Sequence, residues 1–93
     1  MQRQEMIDKL HHRLHDWNQE IDKLEAKASV ASANAKADYR DSIEHMRARK
    51  EQAKTRIDEL QNASDDAWDD IKQGAEQALS SLKEAYDSAK HKF

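Results

Sequence analysis

Residues 7–35 read IDKLHHRLHDWNQEIDKLEAKASVASANA, and this stretch decides the fold that the sequence predicts. Its apolar side chains recur at alternating steps of three and four residues, which is the heptad pattern of a coiled-coil helix. The stretch contains no glycine and no proline, and alanine is the best helix former. We therefore expect one helix to continue through the alanines, over residues 2–62. The apolar positions in the pattern are Ile7, Leu10, Leu14, Trp17, Ile21, Leu24, Ala28, Ala31 and Ala35.

The tract of small residues from Ala26 to Ala37 leaves one alternative open. If the chain turns within it, the long helix divides in two and the protein becomes a compact three-helix bundle. The absence of helix-breaking residues favours the continuous helix.

Beyond Ala35 the apolar pattern changes its phase and then resumes, as far as Leu60. A break is predicted at 62–65, where Ser64 is a good N-cap and Asp65 and Asp66 suit the first turn of a helix. A second helix is then expected over 65–91, with apolar residues at helical spacing.

The lengths of these two helices predict an asymmetric hairpin. At 1.5 Å per residue the first helix is about 90 Å long and the second about 40 Å. The second helix, folding back, is expected to cover the later half of the first through Tyr39, Ile43, Met46, Ile57, Leu60, Trp68, Ile71, Gly74 and Leu82. The earlier half stays bare in this arrangement, and an interface between chains is expected at Leu10, Leu14, Trp17, Ile21 and Leu24.

Composition limits the chain to one small helical domain, residues 1–93. Of its 93 residues 37% are hydrophobic and 38% charged, with one glycine, no proline and no cysteine. So few apolar residues suit a thin stripe on long helices better than a thick core. An all-α chain of this size is marginal alone, so a homo-oligomer is expected, with a dimer favoured and a protein partner as the alternative.

Charge and hydropathy exclude several classes of function. The net charge of −3 comes from residues 64–93, which carry four basic and seven acidic side chains. This balance argues against a nucleic-acid partner. No apolar run is long enough to span a membrane and no signal segment is visible, so a cytoplasmic protein is expected. A peripheral lipid-binding or stress-protective role of the amphipathic C-terminal helix is an alternative, although that helix has an acidic polar face.

A metal site is the other alternative. Asp8, His11 and His15 fall on one side of a helix at steps of three and four, beside His12 and Asp16. Imidazoles at this spacing can chelate Zn²⁺, Ni²⁺ or Cu²⁺. Solvated histidines explain the same residues, and no cofactor is expected.

Two runs carry a family resemblance: WNQEIDKLEAKA at 17–28 and ASDDAWDDIKQG at 63–74. Together they resemble small bacterial proteins described as coiled-coil domain-containing, which have no assigned activity. The resemblance implies a soluble, helical, bacterial protein and transfers no catalytic residue. The pair His11-His12 lies outside it. We expect a non-enzymatic protein that acts by coiled-coil self-association or as an interaction scaffold.

Overall fold

The computed structural model describes residues 2–92, and these form three helices and no strand. Helix α1 is Gln2–Ser29, α2 is Ala33–Gln61 and α3 is Trp68–Lys92. The prediction of an all-α fold is confirmed.

The prediction of a continuous helix over 2–62 is wrong, because the chain turns at residues 30–32. The N–H groups of Val30 and Ala31 donate to the carbonyls of Lys27 and Ala28, three residues back, which tightens the last turn of α1. Ser32 then takes an extended conformation, with φ −63° and ψ 162°. Its hydroxyl caps α2 by accepting a 3.4 Å hydrogen bond from the N–H of Ala35.

Polar contacts between helices give their directions. Going along α1, Asn18 meets Lys50 of α2 and Glu25 meets Arg47, so the position on α2 falls as the position on α1 rises. Helices α1 and α2 therefore run in opposite directions, and so do α2 and α3, because Arg49 meets Ser81 and Arg56 lies beside Gly74. The bundle measures 51 × 18 × 18 Å, about half of the length that a continuous first helix requires.

The core is a single apolar seam shared by all three helices. Packing against it on the rim are half-buried residues such as Met6, Ala28 and Ala85. The buried side chains are Ile7, Leu10, Leu14, Ile21, Leu24, Ile43, Met46, Ala53, Ile57, Leu60, Ala75, Leu79, Leu82 and Ala89.

The prediction that residues 6–24 of the first helix stay bare is wrong. Leu10, Leu14, Ile21 and Leu24 are buried, and Trp17 is half-buried against the core. The physical reason is the turn at 30–32, which lays α1 along α2 and brings it beside α3. These five side chains are therefore covered within one chain.

The residues expected to dock the last helix lie in or beside the same core. Five of them are buried: Ile43, Met46, Ile57, Leu60 and Leu82. Tyr39, Trp68 and Ile71 are half-buried against the core. A Cβ built on Gly74 would lie 3.8 Å from Cδ of Arg56, an ordinary contact, so the α2–α3 packing does not require glycine at this position.

The second connection, residues 62–67, begins where the predicted break begins. The carbonyl and the hydroxyl of Ser64 both accept from the N–H of Ala67, at 3.2 and 3.3 Å. Helix α3 therefore starts at Trp68, three residues later than predicted, and Asp69 and Asp70 occupy its first turn. Within residues 2–92, no helix has the length and apolar character needed to cross a membrane.

Candidate functional site

An aromatic latch of Trp17, Glu20 and Tyr86 joins α1 to α3. The rings of Trp17 and Tyr86 are tilted by 60°, with their centroids 5.1 Å apart. The Tyr86 hydroxyl donates a 3.1 Å hydrogen bond to Oε2 of Glu20. An aromatic pair of this geometry contributes about 1 kcal/mol beyond its buried area, so the latch is a specific attachment of α1.

The latch shifts the ionisation of both of its acids. The hydrogen bond from Tyr86, helped by the ammonium of Lys23, lowers the pKa of Glu20. Burial raises the pKa of Tyr86, and the neighbouring carboxylate of Glu20 adds to the effect. Both shifts favour the pair as it exists near neutral pH, with a charged carboxylate and a neutral phenol.

An arginine clamp holds the start of α1 against the α2–α3 connection. The guanidinium of Arg3 lies over the Trp68 ring, with Cζ 4.4 Å from the ring centroid. It also donates to the carbonyls of Ala63 and Ser64, at 3.4 and 3.3 Å. A carboxylate oxygen of Asp65 lies 3.1 Å from the same side chain. One residue of α1 therefore satisfies backbone groups of a distant turn.

Polar pairs line the α1/α2 rim at regular intervals. Arg47 pairs with Glu25 and lies 3.7 Å from Asp22, while Lys50 donates a 2.9 Å hydrogen bond to Asn18. Exposed pairs of this kind contribute little to stability. They do fix which residues of α1 face which residues of α2.

The α2/α3 groove is an open cavity of about 500 Å³. Its lining combines small side chains with polar groups from both helices. Within residues 2–92, His45 makes no hydrogen bond to a serine or carboxylate of the groove, so the groove holds no paired nucleophile and base. Its lining is Asp41, Ser42, His45, Arg49, Ser81, Glu84, Ala85, Ser88 and Ala89.

The histidines of α1 each face a different neighbour. Nε2 of His11 lies 4.0 Å from a carboxylate oxygen of Asp58, and His15 lies 3.4 Å from the Gln19 amide. His12 lies 3.8 Å from Asp16, and Asp8 accepts from Gln4. Across the described residues, no group of three or more His, Cys, Asp or Glu side chains is placed to hold a metal ion. Asp8, His11 and His15 are therefore not gathered around a common point.

The sequence pattern predicted neither the clamp nor the latch. Both need α1 and α3 side by side and running in the same direction, which only the three-helix alternative provides. The signal that could have found them is the placement of one tryptophan in each of the segments that form α1 and α3. Trp17 and Trp68 both sit at the edge of an apolar stripe, where an aromatic ring can meet a polar partner.

No family model, no curated protein and no solved structure matches this chain. The resemblance to small bacterial coiled-coil proteins stays a prediction, and the functional argument rests on the geometry of the bundle.

Proposed function

We propose that this chain is a non-catalytic helical protein that acts as a scaffold by associating with a second copy of itself. The observation that carries the proposal is the composition of the core. Among the described residues, every buried side chain is apolar and none is polar or charged. Buried polar residues are the groups that commonly fix the register and the number of helices in a bundle. Without them, an equivalent helix from another chain can fill the same seam.

The rim contacts support the same proposal. The pairs Arg47–Glu25 and Lys50–Asn18 join groups that every copy of the sequence carries. An α1 supplied by a second chain would therefore find the same partners at the same positions. Neither the core nor the rim distinguishes the α1 of the same chain from the α1 of a second chain.

The openness of the cavities supports a role that is not catalytic. Catalytic sites bury most of a substrate in a concave pocket that excludes water. The α2/α3 groove instead lies along the outside of two helices, and its histidine has no hydrogen-bonded nucleophile among the described residues.

Sedimentation equilibrium tests this proposal. We expect the mass to rise from that of one 10.8 kDa chain towards twice that value as the concentration rises from about 1 µM to about 1 mM. The same experiment in about 0.5 M salt is the control, because salt screens ionic contacts and leaves apolar burial intact. A single-chain mass at every concentration, in both salts, would refute self-association.

A further inference from the structure

The geometry points to exchange of α1 as the way in which two copies associate. The turn at residues 30–32 straightens, and α1 and α2 of each chain become one helix of about 60 residues. Each α1 then packs on α2 and α3 of the other chain. We call this dimer the exchanged form and the single-chain bundle the closed chain. This inference rests on the proposed self-association. It adds that α1 is the element that moves, that residues 30–32 are the hinge and that a second copy of the chain is the partner.

At Ser32 the hinge needs one main rotation, that of ψ, to become helical. Ser32 has φ −63°, which is already the value of an α-helix, and ψ 162°. Turning ψ to about −40° continues the helix. Within residues 2–92 no residue has a positive φ, so no residue of the turn has to leave the left-handed region.

Straightening also satisfies backbone groups that the turn leaves unpaired. The last carbonyls of α1 and the first N–H groups of α2 have no partners within their own helices. In a continuous helix the carbonyls of Ser29, Val30 and Ala31 accept from residues 33–35. The turn offers in exchange the two bonds from Val30 and Ala31 to carbonyls three residues back and one cap, the 3.4 Å bond from Ala35 to the Ser32 hydroxyl.

The seam of small residues supplies a new contact at the centre of the dimer. Ala28, Ala31 and Ala35 continue the heptad of α1 across the hinge and are half-buried in the closed chain. After exchange, two long helices run in opposite directions and cross at this tract. Alanines let the two helix axes approach closely there.

Val30, in the hinge, is an apolar side chain that the closed chain leaves uncovered. It is 86% exposed, and no other large apolar side chain among the described residues is exposed. The remaining contacts of α1, including the latch to Tyr86 and the clamp on Trp68, re-form between chains after exchange. The closed and exchanged forms therefore differ mainly at the hinge and in their dependence on concentration.

Two substitutions at the hinge shift the equilibrium in opposite directions. Ala33→Pro fits the closed chain, because position 33 is the first helical position and Ser32 already has the extended ψ that a residue before proline prefers. In the straight helix the same proline loses a hydrogen bond and clashes with the carbonyl of Ser29. Ser32→Ala removes the cap that only the closed chain uses.

Sedimentation and small-angle scattering measure the result. We expect Ala33→Pro to raise the dimer dissociation constant by about 100-fold or more, and Ser32→Ala to lower it by about fivefold for each hinge. The native dimer should have a maximum dimension near 90 Å, against 51 Å for the closed chain. Ser64→Ala is the matched control for Ser32→Ala, since it removes the serine cap of the other connection, which both forms share, and should leave the dimer dissociation constant unchanged.

Cross-linking tests the exchange directly, because the natural chain has no cysteine. Asn18→Cys and Lys50→Cys are made in separate chains, mixed at high concentration and treated with a short bis-maleimide. Positions 18 and 50 are neighbours across α1 and α2, so a mixed covalent dimer forms only when α1 of one chain lies on α2 of another. Adding Ala33→Pro to both chains should abolish that product.

The outcomes separate the exchange from the proposed function. A native dimer that keeps its dissociation constant in Ala33→Pro and gives no mixed product would overturn the exchange and leave self-association standing, through the outer faces. Single chains at every concentration, even with Ser32→Ala, would overturn both.

Discussion

The two connections of the bundle are built in different ways. The first, residues 30–32, is held by bonds within itself and to the adjacent turns of α1 and α2. The second, residues 62–67, is held from outside, since Arg3 of α1 binds the carbonyls of Ala63 and Ser64 and lies over Trp68. The bonds of the first connection can be replaced by those of a straight helix, whereas the bonds from Arg3 form only when an α1, from the same chain or from another, packs beside the second connection.

This difference assigns separate roles to the two ends of the molecule. The end that contains residues 62–67 anchors α1 through a side chain that reaches a turn distant in sequence. The end that contains residues 30–32 carries Val30, whose side chain is 86% exposed. Removing the side chain of Trp68 should therefore cost more stability than removing that of Val30.

The largest effect is expected from Trp68→Ala. Replacing a fully buried tryptophan by alanine costs about 3–5 kcal/mol, and Trp68 is half-buried, so we expect a loss of about 2 kcal/mol in the free energy of unfolding, including the contact with Arg3. Urea unfolding followed by circular dichroism measures this loss.

Val30→Ala is the matched substitution at the other end, and it should change the free energy of unfolding by less than about 0.5 kcal/mol. Measurements are made at a concentration where the protein is a single chain. Equal losses in Trp68→Ala and Val30→Ala would show that the two ends are anchored alike.

The same comparison explains which parts of the fold the sequence could predict. Residues 62–66 contain Asn62, Ser64 and two aspartates, which favour turns and caps, so the break there is visible locally. The turn at 30–32 consists of residues that also suit a helix. Its existence depends on burying Leu10, Ile21 and Leu24 against α2 and α3, a tertiary gain that local propensity does not contain.

A smaller effect is expected from Arg3→Ala. The substitution removes the cation–π contact and two hydrogen bonds, while the pair with Asp65 is highly exposed and adds little. We expect a loss of about 1 kcal/mol and faster amide exchange at Ala67 and Ile71, measured by hydrogen–deuterium exchange.

Lys27→Ala is the control for Arg3→Ala, because it removes a cation near the opposite end of α1, where the Lys27 side chain makes no hydrogen bond or ion pair among the described residues. It loses only the favourable charge of a cation in the last turn of α1, so the free energy of unfolding should change by about 0.5 kcal/mol or less and amide exchange at Ala67 and Ile71 should be unchanged. If amide hydrogen exchange at Ala67 is unchanged in Arg3→Ala, the connection at residues 62–67 keeps its structure without the arginine.

The contacts of the α1 side chains were predictable only in part, because they depend on which helix packs against α1. The apolar residues of α1 are recognisable from their spacing, but spacing does not say whether α2 and α3 or a second chain covers them. The histidines of α1 are close in sequence and have different neighbours in the bundle, because Asp58 comes from α2 whereas Asp16 and Gln19 come from α1 itself.

Among the contacts that hold α1, the smallest effect is expected from Tyr86→Phe, which keeps the ring of the latch and removes its hydroxyl. Near pH 7 the loss should be about 1 kcal/mol or less, because Glu20 is partly exposed and water replaces the hydrogen bond.

The pKa of Glu20 is lowered in the folded chain, so its contribution is complete above the unfolded value of about 4.5 and is lost as the pH falls through the folded pKa. The pKa of Tyr86 is raised, so its contribution is complete below pH 10 and is lost as the pH rises through its folded pKa. The difference in unfolding free energy between the native chain and Tyr86→Phe should therefore be greatest near neutral pH and shrink at both extremes. A difference that stays constant from acid to alkaline pH would mean that the contribution of the Tyr86 hydroxyl does not depend on the charge of Glu20.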